Sequence, residues 1–222
     1  MDWNSLLIFV HLMCLVFWLG TDIGVFVLGK FAQNPEYTSD QRLLVLKIAM
    51  ILDMFPRLCM VLMIPTGYQM AVNIGAINPA AYLTPAVWVF ASIWLAIVAT
   101  GLLQHGTDLG VRAKAAEKVI HYFLFILGSW AGLASLVSGA PISMRWLAVK
   151  VLFYVLIIAF VLFLEKVFNP VADAFMKLAE DGSSAELESQ IRKGMDRTYV
   201  WVIAIYAAVI LSAYFGVGQP VF

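Results

Sequence analysis

Six long runs of apolar residues alternate with short polar connections along the chain. The runs cover about residues 4–29, 48–72, 84–104, 119–138, 146–168 and 198–217. A helix rises about 1.5 Å per residue, so roughly 20 apolar residues cross the ~30 Å hydrocarbon core of a bilayer. The pattern therefore predicts an all-α polytopic membrane bundle of about six transmembrane helices, folded as a single transmembrane domain over residues 1–222.

Composition excludes an ordinary soluble domain. Of the 222 residues, 63% are hydrophobic and only 13% are charged, and the mean hydropathy is +0.90. The net charge is zero and no basic run occurs, so we expect membrane lipid and no nucleic acid as a partner. The first residues contain Asp2 but no Lys or Arg, and no small-residue cleavage site follows. We therefore expect the first run to remain as a span.

The cations predict the orientation of the chain, because Lys and Arg near span ends are retained on the cytoplasmic side. Eleven of the fourteen lie in the connections after spans one, three and five. These are Lys30, Arg42, Lys47, Arg112, Lys114, Lys118, Lys166, Lys177, Arg192, Lys193 and Arg197. We expect both termini on the periplasmic side of a bacterial inner membrane.

The longest connection, residues 169–197, is predicted to form a cytoplasmic helical hairpin. Apolar residues recur at helical spacing on both sides of a turn, at Val171, Phe175 and Leu178 and then at Leu187, Ile191 and Met195. Ser183 and Glu186 have the spacing of a capping box that would start the second helix. The alternative is a solvated connector without a packing partner.

Several polar side chains fall at membrane depth. His11 lies roughly 10 Å and Lys150 roughly 6 Å below the periplasmic surface, so they share one leaflet. Arg57 lies near the midplane, and Asp53 precedes it by one helical turn. An unpaired charge at such depth costs about 2.5–3.5 kcal/mol. We therefore predict a buried ion cluster of Asp22, Asp53 and Arg57, in which Arg57 could also anchor an anion such as a propionate.

Histidine supplies the candidate metal chemistry. No carboxylate is predicted at the level of His11, so its imidazole either bonds to a neighbouring helix or serves as an axial ligand of haem iron. His105 and His121, at the cytoplasmic ends of spans three and four, are ordinarily read as solvated interfacial side chains. The alternative for that pair is a second haem or a metal.

Three stretches carry a resemblance to a known family. They are HLMCLVFWLGTDIGVFVLGKF from His11, PRLCMVLMIPTGYQMA from Pro56 and RWLAVKVLFYVLIIAF from Arg145. Together they resemble the bacterial haem-b membrane protoporphyrinogen oxidases and the related copper-resistance membrane domains, although that family core looks like four helices. The resemblance implies haem b with His11 as axial ligand and Lys150 as the second ligand or a neighbouring charge. It also places Arg57, Trp18 and Trp146 at the cofactor.

Three functions follow as hypotheses. The preferred one is a haem-b redox protein, oxidising a porphyrinogen and passing electrons to quinone or another respiratory-chain partner. The second is a copper-handling transporter, and the third is a proton- or ion-coupled carrier. Soft ligands for the second are Met13, Cys14, Cys59, Met60 and Met63. Polar groups for the third are Asp22, Asp53, Arg57 and Glu165. The substrate is not assigned, and a homo-oligomer is left open.

Overall fold

A computed structural model describes residues 2–104 and 106–221. Within them the chain forms seven α-helices. These are α1 (Trp3–Ala32), α2 (Ser39–Leu52), α3 (Met54–Asn73), α4 (Leu83–Leu103), α5 (Asp108–Ser138), α6 (Arg145–Asp181) and α7 (Ala185–Gly218). With α2 and α3 taken together, six helical segments of the described chain are long and apolar enough to cross a membrane. The predicted all-α, six-span, multi-pass membrane fold is confirmed.

The second span differs from the prediction, which placed one continuous helix at about residues 48–72. The helical segment begins already at Ser39 and breaks at Asp53, the residue between α2 and α3. Pro56 has no N–H to donate to the carbonyl of Leu52, four residues earlier, and its ring crowds that carbonyl. The break therefore follows from the position of Pro56, and it places Asp53 at the junction of α2 and α3.

The six spanning segments form a closed ring. Around it α1 packs on α3, α3 on α4, α4 on α5, α5 on α6, α6 on α7, and α7 on α1. The interior is filled by one apolar core. Its buried members are Cys14, Trp18, Cys59, Met60, Val61, Trp94, Val98, Ile157, Ile205, Ala208 and Val209. The Tyr154 hydroxyl crosses the interior and donates to the carbonyl of Met60 at 2.8 Å.

The two ends of the bundle are identified by the contacts between connections. At one end, the Asn4 end, the Asn73 amide donates to Asn4 Oδ1 at 3.1 Å. The Ser143 N–H donates to the Ala76 carbonyl at 2.9 Å at that same end. The opposite end, the Arg42 end, contains the α1–α2 connection and the turn between α6 and α7.

Helices α6 and α7 extend well beyond a bilayer. With 37 and 34 residues they are roughly 55 and 50 Å long, against a hydrocarbon core of ~30 Å. Their extensions pack together at the Arg42 end around a second core. This core comprises Ala32, Val171, Ala174, Phe175, Leu178, Leu187, Ile191, Met195 and Tyr199. The alternative of a solvated connector without a partner is therefore excluded for residues 169–197.

The predicted capping box at Ser183 and Glu186 is wrong by one residue. Ser184 is the N-cap of α7, and its hydroxyl accepts from the N–H of Leu187 at 3.3 Å. The Ser183 hydroxyl instead donates to Glu188 Oε1 at 2.7 Å. The two serines are adjacent in the turn, and the backbone at Ser184 is extended, as an N-cap requires.

Arg42 is buried and joins α2 to this extension. Its Nε donates to the Ala32 carbonyl at 2.7 Å, and Nη1 and Nη2 donate to the two carboxylate oxygens of Glu188 at 2.6 and 3.0 Å. Its guanidinium carbon lies 5.9 Å from the centre of the Phe175 ring. Such a two-pronged, charge-assisted contact is among the stronger polar interactions in proteins.

Candidate functional site

His11 is oriented by Thr66, which lies opposite it on α3. The Nδ1 atom of His11 is 2.8 Å from the Thr66 hydroxyl oxygen. That hydroxyl donates its own proton to the carbonyl of Leu62 at 2.7 Å, so it accepts from His11. This assigns the proton of the neutral imidazole to Nδ1 and leaves the lone pair on Nε2. Within the described part of the chain, no group bonds to that Nε2 atom.

The neighbouring turn of α3 gives the imidazole room. A Cβ atom at Gly67 would lie 3.3 Å from His11 Cε1, so the ring packs directly against the glycine backbone. Thr66 and Gly67 follow Pro65 in the sequence, and both Pro65 and Thr66 are buried. The ring of His11 is therefore fixed by a hydrogen bond and by a close contact with α3.

Lys150 lies on the second turn of α6, within electrostatic reach of His11. It is partly buried, and its Nζ atom lies close against Gly216 of α7. In the described residues no carboxylate pairs with it. Trp146 precedes Lys150 by one turn and is partly buried, whereas Trp18 is 4% exposed and belongs to the apolar core two turns below His11.

The hydrogen bond of His11 is of the kind that histidine ligands of a metal make. A histidine that ligates a metal through one nitrogen ordinarily donates its other N–H to a nearby acceptor, as His11 does to Thr66. The backbone at Gly67 is packed against the His11 ring, and the backbone at Gly216 is packed against Lys150. Arg57 lies at another level of the bundle. It precedes Thr66 by nine residues, a rise of roughly 13 Å, and its expected role as propionate anchor stays a prediction.

Arg57 lies instead in a second polar layer, nearer the Arg42 end. Its Nε donates to Asp53 Oδ2 at 2.7 Å. The side chain of Arg57 is 44% exposed and that of Asp53 is 33% exposed. Lys118 of α5 and Glu165 of α6 form another pair at 3.3 Å. The predicted three-way ion cluster is not formed as such. Among the described residues Asp22 has no ion-pair partner within 4 Å, although its charge interacts with Asp53 and Arg57.

Sequence reasoning did not identify the buried pair Glu117 and His121 on α5. These residues are 7% and 6% exposed, and Glu117 Oε1 lies 4.0 Å from His121 Nε2. Neither atom has a hydrogen-bond partner among the described residues. The i, i+4 spacing of an acid and a histidine was the available signal. His105, which was expected to lie near His121, is outside the described residues.

Cys14 and Cys59 meet in the apolar core. Both are free and buried, and their thiols interact. Met60 is also buried in this core, and Met63 packs against it. Within the described residues, no group of three or more His, Cys, Asp or Glu side chains is arranged to hold a metal ion. A metal centre at this place would therefore depend on sulfur ligands from methionine as well as cysteine.

Comparison of the chain with protein-family models, with curated proteins and with solved structures found no match. Its function is therefore inferred from the side chains themselves.

Proposed function

We propose that this membrane protein binds haem b and acts in electron transfer, with His11 as an axial ligand of the iron. The observation that carries the proposal is the hydrogen bond from His11 Nδ1 to Thr66, because it leaves the Nε2 lone pair free for a metal. Imidazole is a usual haem ligand, and the interior of a helix bundle is a usual haem site.

Lys150 is the proposed second ligand or, failing that, a charge beside the cofactor. Its amine has no carboxylate partner in the described residues and lies against the backbone of Gly216 on α7. A lysine away from water is more readily neutral, as ligation to iron requires. Trp146, one turn earlier on α6, adds an aromatic side chain to the same layer.

Haem would supply one-electron redox chemistry to this protein. The residues of the chain would bind it, orient it and keep water away. Thr66 positions the His11 ring, and the apolar core around Trp18 separates the layer from the Arg42 end. We propose a quinone or another respiratory carrier as the electron partner and a porphyrinogen as the substrate, on the resemblance described above.

For localisation we propose a bacterial inner membrane, with the Asn4 end on the periplasmic side. The connections at the Arg42 end carry most of the cations, which favours the cytoplasm for that end. The proposed haem layer then lies in the periplasmic leaflet.

The test is an absorption spectrum of the purified protein, oxidised and reduced. We expect a Soret band that shifts on reduction. Lys150→Met should shift the band if the amine is a ligand, and should only weaken haem retention if it is a neighbouring charge. A colourless protein that takes up no added haem would remove the proposal.

The contact between the Cys14 and Cys59 thiols favours copper handling as a second candidate function. Thiolate and thioether sulfur are soft ligands that suit Cu(I). We expect copper supplied under reducing conditions to remain with the purified protein and to be lost in Cys14→Ser. Equal copper content in wild type and variant, measured by elemental analysis, would contradict this candidate.

A further inference from the structure

His121 and two side chains that neighbour it each contain a buried polar atom without a hydrogen-bond partner among the described residues. The three atoms are Glu117 Oε1, His121 Nε2 and Trp94 Nε1. Trp94 is 0% exposed, and its ring packs edge-on against the His121 ring with centroids 5.8 Å apart. A buried polar group that remains unsatisfied costs about 1–3 kcal/mol. Three of them on neighbouring side chains point to a bound polar molecule.

The donors and acceptors of the three groups match those of a water molecule. The indole N–H can only donate, a carboxylate can only accept, and a neutral imidazole nitrogen can do either. The 4.0 Å between Glu117 and His121 is too long for a direct hydrogen bond. A water molecule can accept from Trp94 and donate to Glu117 and His121, which is the usual number of partners for a buried water.

No Lys or Arg lies within ion-pair distance of Glu117 among the described residues, although several charges surround it. Its charge interacts with Arg57 of α3, with Asp53 between α2 and α3, with Glu165 of α6 and with Lys114 of α5. Of these, Arg57 is bound to Asp53, and Glu165 is bound to Lys118. The charges of Arg57 and Glu165 also reach His121. A buried carboxylate without a paired cation is neutralised most readily by a proton.

We propose that Glu117, His121 and Trp94 form a proton-binding site inside the membrane bundle, with a water molecule as the link between them. A proton from the Arg42 end passes through the water to the Glu117 carboxylate, which becomes a carboxylic acid. His121 Nε2 can accept the same proton in turn, and the water is regenerated. One proton enters and no electron moves, so the site works independently of haem.

The site lies in the polar layer nearer the Arg42 end. The partly exposed pairs Arg57–Asp53 and Lys118–Glu165 connect it to the Arg42 end. Trp94 belongs to the apolar core that separates it from His11. A metal cation is disfavoured here, because the charge of Arg57 repels it and the indole N–H offers no lone pair.

Infrared spectroscopy of the full chain in lipid nanodiscs, titrated from about pH 9 to 5, tests the site. We expect a carboxylic acid C=O band that grows as the pH falls and shifts in D₂O. Glu117→Gln should remove the Glu117 component of this band and leave that of Asp22, the other membrane-depth carboxyl without an ion pair among the described residues. The matched control, Glu186→Gln in the exposed first turn of α7, should retain both components.

Two further variants keep the test decisive if Glu117→Gln folds poorly. Arg57→Gln removes a cation that interacts with Glu117, so the band should persist to a pH about one unit higher, a tenfold change in proton concentration. Trp94→Phe keeps the bulk but removes the donor, so the band frequency should change. Spectra of all three variants that match wild type would overturn the proposal. Saturable zinc binding lost in Glu117→Gln would also overturn it, in favour of a cation site.

Discussion

The hydroxyl of Thr66 decides which nitrogen of His11 is available to a ligand. Because the hydroxyl proton is used on the Leu62 carbonyl, the imidazole must donate through Nδ1. The sequence predicts that a histidine lies at membrane depth, because His11 stands inside an apolar run. The sequence does not predict the tautomer of His11. The tautomer depends on Thr66, 55 positions away, whose hydroxyl bonds to a carbonyl of its own helix.

Thr66→Val should weaken haem binding, because it removes the acceptor for Nδ1–H while keeping the shape of the side chain. Loss of such a supporting hydrogen bond typically lowers metal affinity by about 10–100-fold. Titration of haem into apoprotein, followed by absorption, measures this. Thr66→Ser keeps the hydroxyl and should bind nearly as wild type. Equal affinities of the valine variant and wild type would show that Thr66 does not position His11.

At the scale of elements, α2 and the extended ends of α6 and α7 form a unit beyond the spanning bundle. The apolar stripes Val171, Phe175, Leu178 and Leu187, Ile191, Met195 are readable from sequence because their spacing is helical, and all six are buried. The sequence does not predict the partner of Arg42, because Glu188 is 146 residues away along the chain. Arg42 was expected only as one of the cytoplasmic cations.

Glu188→Gln should destabilise this unit, because it leaves the buried guanidinium of Arg42 with a neutral partner. Hydrogen bonds to charged groups contribute about 1.5–3 kcal/mol, so we expect a loss of roughly 2 kcal/mol. For a chain of this size that corresponds to a fall in Tm of about 4–8 °C, measured by thermal unfolding in detergent. Glu186→Gln, two residues earlier and exposed, should leave Tm nearly unchanged. A fall of the same size in both variants would argue against a specific Arg42–Glu188 contact.

The pair of Arg42 and Glu188 should make the stability of the folded protein depend on pH in the acid range. Glu188 lies in the polar first turns of α7, before its apolar stretch. Burial opposes its ionisation, but hydrogen bonds from Arg42 and Ser183 outweigh burial and lower the pKa of the carboxyl below its ordinary 4.5. A lowered folded-state pKa gives stability that is complete above the unfolded value and is lost as the pH falls through the folded value. The Tm difference between wild type and Glu188→Gln should therefore be constant near neutrality and shrink below about pH 4.

At the scale of the whole molecule, two polar layers are separated by one apolar core. The layer of His11 and Lys150 lies toward the Asn4 end, and the layer of Arg57, Glu117 and His121 lies toward the Arg42 end. The number of spans is readable from the sequence, because each must match the bilayer thickness. The sequence does not predict the order of the helices around the ring, because that order is set by side-chain packing between segments distant in sequence.

The orientation of the bundle is tested with reporter fusions in two connections at opposite ends. Gly75 follows α3 at the Asn4 end, and Gly182 lies in the turn between α6 and α7. The distribution of Lys and Arg predicts active alkaline phosphatase after Gly75 and an inactive one after Gly182. A cytoplasmic reporter should show the reverse. The opposite pattern for both reporters would invert the bundle and move the His11 layer to the cytoplasmic leaflet.

The most direct measurement is the haem content of purified His11→Ala beside that of Leu12→Ala. Leu12 is the next residue on α1 and is 43% exposed, so its change tests insertion of the same helix without touching the imidazole. We predict that His11→Ala inserts normally but carries no haem, whereas Leu12→Ala has the haem content of wild type. Full haem content in His11→Ala, or loss of haem on changing His121 instead, would contradict His11 as the ligand.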